Sequence, residues 1–239
     1  MALPAEATGG HILSPGGFRM AGVLSAGRMT GTRRFPPFRN MLFFWRILMA
    51  KFRDSQTAKN LLASFAGESQ ARNRYTYFAR RAADEGYIQI ADIFEETAGH
   101  ECEHALRFFK FFNGGELEIT SRFPAGVIGT THDNLVAAAD GERFEHSELY
   151  PGFARVAREE GFDRAADTWE AISVSEKQHE KRYRELAANL LSGRVFTRPN
   201  KTVWRCRNCG YLHTGDAAPE KCPACVKPQS YFELLAENW

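Results

Sequence analysis

Apolar residues recur every three or four positions through most of residues 54–193, which is the spacing of one face of an α-helix. Glycines interrupt the pattern, and a glycine just after the last periodic residue is a common helix stop. The Tyr-Pro-Gly at 150–152 predicts a kink or short break inside the third of these segments. The pattern predicts four helices, which run from Asp54 to Gly86, from Tyr87 to the Asn-Gly-Gly at 113–115, from His132 to Gly161, and from Phe162 to Gly193.

The segment between the second and third predicted helices is long, lacks a helical period and contains Pro124. Two helix pairs with short internal turns, joined by one long crossover, make up a ferritin-like four-helix bundle. The predicted fold class is therefore mainly α, a ferritin-like four-helix bundle with one long crossover that covers residues 49–193. A linker at 194–200 then leads to a small, metal-stapled β/loop domain at 201–239.

Each predicted helix carries Glu or His where its apolar stripe should continue. In the fourth helix the stripe includes Ile172 and Tyr183, and the positions that continue it between them are Glu176 and His179. Residues at i and i+3 lie on one helix face, so such a pair points into the bundle together. The other three helices interrupt their stripes near the middle in the same way, with Glu68, with Glu101 and His104, and with Glu142 and Glu145.

These inward polar residues predict a site for two metal ions. Five carboxylates buried together would repel one another, and two divalent or trivalent ions would neutralise that charge. A donor set rich in carboxylates suits iron or manganese. Arg72, Tyr75 and Tyr150 lie beside the ligands in the pattern and are predicted to donate hydrogen bonds to them, with plain packing as the alternative. Several other polar residues fall off the stripes and are predicted to lie on the surface: Glu95, Glu96, His100, Glu103, His146, Glu148 and Glu180.

Four of the five cysteines form two Cys-x-x-Cys pairs near the end of the chain. Two such pairs bring four thiolates to the corners of a tetrahedron, which fits zinc or a single iron. A structural zinc ribbon is therefore the alternative to a redox-active iron. The fifth cysteine, Cys102, stands alone and is predicted to be a buried, inert thiol. The predicted ligands of this second site are Cys206, Cys209, Cys222 and Cys225.

Charge is distributed unevenly along the 239 residues. Residues 1–48 hold six arginines and one acidic residue, whereas the rest of the chain holds 25 basic and 28 acidic residues and lacks the basic stripe of a nucleic-acid-binding protein. An arginine-rich, acid-poor leader is typical of an organelle transit peptide, although Met49 would also be a natural start. Residues 1–48 are predicted to be a disordered leader outside the fold. The sequence has no apolar run long enough to span a membrane, and a cytoplasmic location is predicted.

The segments around these residues resemble rubrerythrin. GESQARNRYTYFA at 67–79, ECEHA at 101–105 and the segment 141–162 are similar to its first three iron-binding helices, and SEKQHEKRY at 175–183 is similar to the fourth. The two cysteine pairs lie in segments that resemble its rubredoxin-like domain. Val226 departs from the pattern, since free rubredoxins usually have glycine after the last cysteine. The likeness covers about residues 49–239.

This resemblance implies two non-haem irons in the bundle and one iron bound by the four cysteines, in a homodimer or higher homo-oligomer with a head-to-tail arrangement. Tyr75 and Tyr150 match tyrosines that surround the irons in the family. The resemblance also assigns a role to each bundle ligand: Glu101 and Glu176 bridge the irons, Glu68 and Glu145 bind one iron, Glu142 and His179 bind the other, and His104 replaces Glu145 when the pair is reduced.

The implied activity is that of a peroxidase that reduces hydrogen peroxide to water. The sequence contains no Gly-x-Gly-x-x-Gly motif, so a separate NAD(P)H-dependent reductase or a rubredoxin is expected to supply the electrons through the four-cysteine iron. Two other functions stay open at this point. One is a ferroxidase or iron-handling protein with a structural four-cysteine site, and the other is a non-catalytic interaction module held together by zinc.

Overall fold

The computed structural model describes residues 51–238, and the predicted leader at 1–48 lies outside the described residues. Within the described part, a helical bundle is followed by a small three-stranded sheet, which confirms the predicted fold class. Helix α1 packs along α2, and α3 and α4 pack along α5. The helical elements are α1 (Gln56–Asp84), α2 (Ile88–Phe109), α3 (Thr131–Phe144), a π-helix (Glu145–Leu149), α4 (Tyr150–Glu160) and α5 (Asp163–Leu191).

Local signals set the helix ends. Helix α1 begins at Gln56 because the Ser55 side chain accepts a hydrogen bond from the Ala58 amide at 3.0 Å, so the N-cap is one residue later than the predicted Asp54. Thr130 and Asp133 form a capping box at the start of α3. Residues 110–130, between α2 and α3, contain no helix or strand and form the predicted crossover.

The bundle interior contains two apolar clusters rather than one. Tyr75, Phe94, Leu135 and Tyr183 belong to the cluster at one end of the bundle. A second cluster lies at the other end and contains Leu61, Phe108, Tyr150, Trp169 and Ile172. Along every helix the predicted ligands fall between residues of the first cluster and residues of the second. A polar layer therefore crosses the middle of the bundle, sealed above and below by apolar side chains.

The third predicted helix is divided at the predicted break. A π-helix at Glu145–Leu149 separates α3 from α4, and it precedes Pro151. Proline lacks an amide hydrogen, and its ring clashes in an α-helix with the carbonyl four residues earlier, here that of Ser147. The wider π turn accommodates this proline. Glu145 is the first residue of the π-helix, and π turns inside helices often occur at functional sites.

The C-terminal domain is an antiparallel sheet in the order β2-β1-β3. Trp204, Cys206, Cys222 and Phe232 form its small buried core. Strand β1 begins within the residues predicted as a linker. The strands are β1 (Thr197–Cys206), β2 (Leu212–Ala217) and β3 (Phe232–Leu234), with a short 3-10 helix at Gln229–Tyr231 before β3.

One arginine joins the sheet to the bundle of the same chain. The Arg207 guanidinium donates to Asp92 Oδ2 of α2 at 3.1 and 2.5 Å, and it also donates to the buried Glu233 carboxylate. Tyr87 and Phe196 stack nearby, with ring centroids 6.2 Å apart. Because Arg207 lies between the first two cysteines, these contacts tie the four-cysteine domain to the N-terminal end of α2.

The departure at Val226 has a structural cost. Val226 has a φ of +55°, in the left-handed region that a β-branched residue occupies at a cost of ~1–2 kcal/mol. Its side chain is 68% exposed, so little packing compensates. Glycine would remove the strain, but it loses ~0.5–1 kcal/mol through the entropy of the unfolded chain.

Val226→Gly is therefore expected to stabilise the C-terminal domain by about 1 kcal/mol or less, measured as a higher midpoint of thermal unfolding. Val203→Gly in β1 is the control, and glycine there should destabilise the domain. A lower midpoint for Val226→Gly would contradict the strain argument.

Candidate metal centres

The predicted bundle ligands lie in the polar layer, on α1, α2, α3, the π-helix and α5. Six of the seven fall into two groups of four, and within each group the potential ligand atoms lie within 4.8 Å of one another. Glu101 and Glu176 belong to both groups. Glu145 belongs to neither. The first group is Glu68, Glu101, His104 and Glu176, and the second is Glu101, Glu142, Glu176 and His179.

Within residues 51–238, many buried atoms of these groups make no hydrogen bond. Five carboxylate oxygens are buried without a partner: Oε2 of Glu68, Oε1 of Glu101, Oε2 of Glu142 and both Oε atoms of Glu176. His179 Nδ1 is also unpartnered, although it lies 2.8 Å from Glu176 Oε2 and 3.2 Å from Glu101 Oε1. Buried polar atoms in proteins are normally satisfied. Oxygen and nitrogen lone pairs that converge without hydrogen bonds are suited to binding cations. Because most of these ligands are carboxylates, the site fits two iron ions.

The electrostatics of the metal-free cluster lead to the same interpretation. Burial, and next the charge of Glu101, raises the pKa of Glu142 to about 8. Burial also raises the pKa of Glu68 well above its usual range, with Glu145 the largest charged contributor. Burial opposes the charged form of His179, but the nearby carboxylates of Glu101, Glu142 and Glu176 raise its pKa to about 12. Without metal, the cluster holds protons, and metal ions must displace them.

This proton binding predicts opposite pH dependences for the metal-free and iron-loaded proteins. A carboxyl whose pKa is raised in the folded state, as for Glu142 at about 8, stabilises the fold below about pH 4.5, and this contribution is lost as pH rises through 8. Carboxyls with lowered pKa values, such as Glu160, are already ionised above about pH 5. The melting temperature of the metal-free protein should therefore fall between about pH 5 and 9.

In the iron-loaded protein, protons compete with iron for the ligands, so its melting temperature should instead fall as the solution becomes acidic. Thermal unfolding of both forms across this pH range tests the prediction. Parallel curves for the two forms would contradict it.

Two buried tyrosines donate to the ligands, as the sequence predicts. The Tyr75 hydroxyl donates to Glu142 Oε1 at 2.5 Å, and the Tyr150 hydroxyl donates to Glu68 Oε1. Both tyrosines are 1% exposed. Each hydrogen bond occupies one carboxylate oxygen and leaves the other, Glu142 Oε2 or Glu68 Oε2, for metal. The phenols therefore orient the two terminal carboxylates.

Of the residues predicted to lie on the surface, His100 does so but makes a contact that was not predicted, whereas His146 and Glu180 are half-buried. The exposed His100 stacks on His179, and its Nδ1 lies 3.1 Å from His179 Nε2. His100 is thus a hydrogen-bond partner of a predicted ligand, a role that its off-stripe position did not indicate. His146 is half-buried and pairs with Glu180 at 2.7 Å. These contacts cross between helices, so no periodicity within one helix could indicate them.

Arg72 and Cys102 also differ from prediction. Arg72 is exposed, and the inward position is taken by Ala71, which is 2% exposed. Both positions fit a stripe with steps of three and four. The seven residues from Glu68 to Tyr75 can be divided as three plus four, through Ala71, or as four plus three, through Arg72. The half-buried arginine of this helix is Arg74. Cys102 is exposed rather than buried.

The four predicted cysteines converge at the second site. Their Sγ atoms all lie within 4.8 Å of one another, and the Cys206–Cys225 and Cys209–Cys222 pairs are 3.7 Å apart. A tetrahedron with metal–sulfur bonds of about 2.3 Å has edges of about 3.8 Å, so this geometry fits a single tetrahedral ion. A hydrogen bond from the Lys227 amide lowers the pKa of Cys225 to about 6, which favours the thiolate that binds metal.

None of the helices within residues 51–238 combines the length and hydropathy that a bilayer-spanning segment needs.

Comparison with known proteins identifies both parts of the chain. The family model for rubrerythrin matches residues 59–187, and the model for the rubredoxin-like domain of rubrerythrin matches residues 204–233. Rubrerythrin of Nitratidesulfovibrio vulgaris (strain Hildenborough) is 56% identical over 191 residues, which cover 80% of this chain and 100% of that protein. Rubrerythrin of Porphyromonas gingivalis is 55% identical over 185 residues, which cover 77% and 92%.

A solved structure also matches. Nigerythrin in its fully reduced, all-ferrous state is 32% identical, with a TM-score of 0.51 over 76% of this chain and 90% of that one. The two sites fit the predicted cofactors, which are confirmed. These are a carboxylate-bound pair of non-haem irons and one iron bound by four cysteines. By its ligand geometry, its two domains and its relatives, the chain belongs to the rubrerythrin family of di-iron oxidoreductases.

Proposed function

We propose that this protein is a peroxidase that reduces hydrogen peroxide to two waters with two electrons and two protons. The observation that carries the proposal is the overlap of the two ligand groups, which share Glu101 and Glu176. Carboxylates shared in this way would hold two metal ions in one site, where both ions would act on one small substrate. When bound, a ferrous pair supplies one electron from each iron. The residues of the chain bind the irons, orient them and supply protons.

Tyr75 and Tyr150 are suited to holding protons beside the reaction. Burial raises the pKa of both phenols well above the usual range, and the next largest contributions come from Glu142 for Tyr75 and from Glu145 for Tyr150. Both phenols therefore keep their protons at neutral pH, hydrogen-bonded to ligand carboxylates. We propose that protons reach the substrate through these hydrogen bonds.

The site opens toward solvent between α2 and α5. An open pocket of about 440 Å³ is lined by His104, His179, Ser175 and Gln178. The hydroxyl and amide groups suit a small polar molecule such as hydrogen peroxide. Most of the cluster stays buried, since Glu68 and Glu176 are 0% exposed. Such a site admits small molecules and excludes larger substrates.

We further propose that His104 and Glu145 exchange as ligands with the oxidation state. His104 belongs to the first ligand group, whereas Glu145 does not. Glu145 is nevertheless the charged group with the largest effect on the pKa of Glu68. The two residues thus flank the same carboxylates, which supports an exchange between them.

His104→Leu should test this exchange. The oxidised variant is expected to bind two irons in the bundle, because Glu145 serves that state, but peroxide reduction should slow by about 10–100-fold. Iron analysis and stopped-flow kinetics would measure the two effects. His132→Leu, in the first turn of α3 and outside both ligand groups, is the control for loss of an imidazole. If oxidised His104→Leu loses its bundle iron, His104 is a permanent ligand.

Electrons are proposed to reach the bundle from a separate NAD(P)H-dependent reductase or a rubredoxin through the four-cysteine iron. Arg207 ties this domain to Asp92, which lies nine residues before Glu101 on α2. At 1.5 Å per residue, this is a rise of ~13 Å along the helix. The proposed head-to-tail dimer would place the four-cysteine iron of a second copy beside the ligand cluster instead. A cytoplasmic location also remains a prediction.

The activity is tested with protein loaded anaerobically with ferrous iron. One equivalent of hydrogen peroxide should oxidise both bundle irons of each chain, with water as the product and with a faster reaction than dioxygen gives. Preferred reaction with dioxygen, together with accumulation of ferric iron far beyond about three ions per chain, would overturn the proposal in favour of a ferroxidase.

A further inference from the structure

Glu145 occupies a distinctive position among the predicted ligands. It is the first residue of the π-helix and is half-buried beside the cluster, outside both ligand groups. Within residues 51–238 its carboxylate makes no hydrogen bond and no ion pair within 4.0 Å. An ionised carboxylate in such a place needs either a metal ion or another countercharge.

A cavity next to Glu145 offers that countercharge. The cavity, of about 240 Å³, lies between α1, the crossover and the π-helix, and it is lined by Glu145, Arg74, Gly67, Phe123 and Tyr150 among others. Arg74 is half-buried, and its Nη1 donates to Gln70 Oε1 at 2.9 Å, one turn earlier on α1. This bond uses only one of the five N–H groups of the guanidinium and leaves others for the cavity.

The charge of Arg74 acts on Glu145. Glu145 lies beside the carboxylates of Glu142, Glu176 and Glu101, whose negative charges repel its own. The charge of Arg74 opposes this repulsion, and Arg122 is a second arginine that lines the cavity. One side of Glu145 thus faces the carboxylates of the cluster, and its other side faces the cavity that Arg74 lines. Bound metal ions draw the Glu145 carboxylate toward the cluster, whereas Arg74 draws it into the cavity.

We propose that Arg74 is a positioning residue that receives the Glu145 carboxylate when this carboxylate is not bound to iron, and that the cavity provides the space for the movement. The inference rests on the ligand exchange in the proposed function and identifies what stabilises the released ligand. Since a carboxylate released into a poorly solvated site is costly, a waiting guanidinium makes reduction of the iron pair easier. Arg74 therefore raises the reduction potential of the pair.

Arg74→Gln is the primary test. If it favours the bound form of Glu145 about tenfold, the one-electron potential of the diferric pair should fall by ~59 mV. Potentiometric titration of the iron-loaded protein, followed by the electron paramagnetic resonance of the mixed-valent pair, measures this shift. Arg72→Gln removes the same charge two residues away at an exposed position and should leave the potential unchanged. Arg74→Lys keeps a cation and should restore most of the potential.

A double-mutant cycle separates this role from a general effect of charge. In a Glu145→Ala background, Arg74→Gln should no longer change the potential, since no carboxylate remains to be received. An equal shift in both backgrounds, or no shift in Arg74→Gln alone, overturns the proposal. These readouts do not require peroxidase activity, so failure of the proposed function would be recognised separately.

A second variant covers the case in which Arg74→Gln does not bind two irons. Gly67→Leu keeps Arg74 and fills the cavity, because a Cβ at this position points to within 3.8 Å of Phe123. With no space for Glu145 to enter, the potential should again fall. An unchanged potential in this variant overturns the proposal.

Discussion

Glu176→Ala is expected to abolish iron binding in the helical bundle while the four-cysteine domain keeps its iron. Glu176 belongs to both ligand groups, is 0% exposed, and within residues 51–238 makes no hydrogen bond through either carboxylate oxygen. Its loss removes a ligand from both irons at once. The loss of affinity should exceed the ~10–100-fold that follows removal of a partner that only orients a ligand.

Iron analysis and the visible spectrum would measure this result, with about one iron per chain expected in place of three. Glu185→Ala is the control, because Glu185 is an exposed glutamate on the same helix, 67% exposed, and pairs with Lys181 rather than with a ligand. Peroxide reduction should disappear with the bundle irons. A Glu176→Ala protein that retains two bundle irons would show that the two ligand groups do not form one dinuclear site.

Cys209→Ser is expected to stop sustained turnover without preventing a single one. The substitution removes one thiolate from the tetrahedral site, whose Sγ atoms are spaced for one ion. The bundle ligands are on other segments of the chain, so the variant should still bind two bundle irons. After chemical reduction, it should consume one peroxide per iron pair at nearly the wild-type rate.

Turnover driven by NADH and a reductase should fall by at least about 10–100-fold, because the route from the reductase to the bundle is broken. Cys102→Ser is the control. Cys102 is an exposed cysteine outside the four-cysteine domain, so its substitution should leave turnover unchanged. If Cys209→Ser folds, keeps two bundle irons and turns over at the wild-type rate, electrons do not pass through the four-cysteine site.

Much of this architecture could be predicted from the sequence because it repeats along the chain. A helix turns by a constant angle per residue, so Glu176 and His179 could be assigned to the face that holds Ile172 and Tyr183. The four cysteines could be assigned from spacing, since Cys-x-x-Cys pairs bring thiolates together locally. The cost of burying several carboxylates without metal then indicated the cofactor class. These inferences depend on one helix or one loop at a time.

The tertiary structure decided what depends on neighbours from other segments. The assignment of Arg72 to the interior was wrong. An apolar stripe is wide enough to include either Ala71 or Arg72, and the packing of the helices determines that Ala71 is the buried one. His100 reaches His179 across two helices, which no pattern within α2 records. The cavity that joins Arg74 to Glu145 exists only where the crossover and the π-helix meet α1. Periodicity determines which way a side chain points, whereas the fold determines what it meets there.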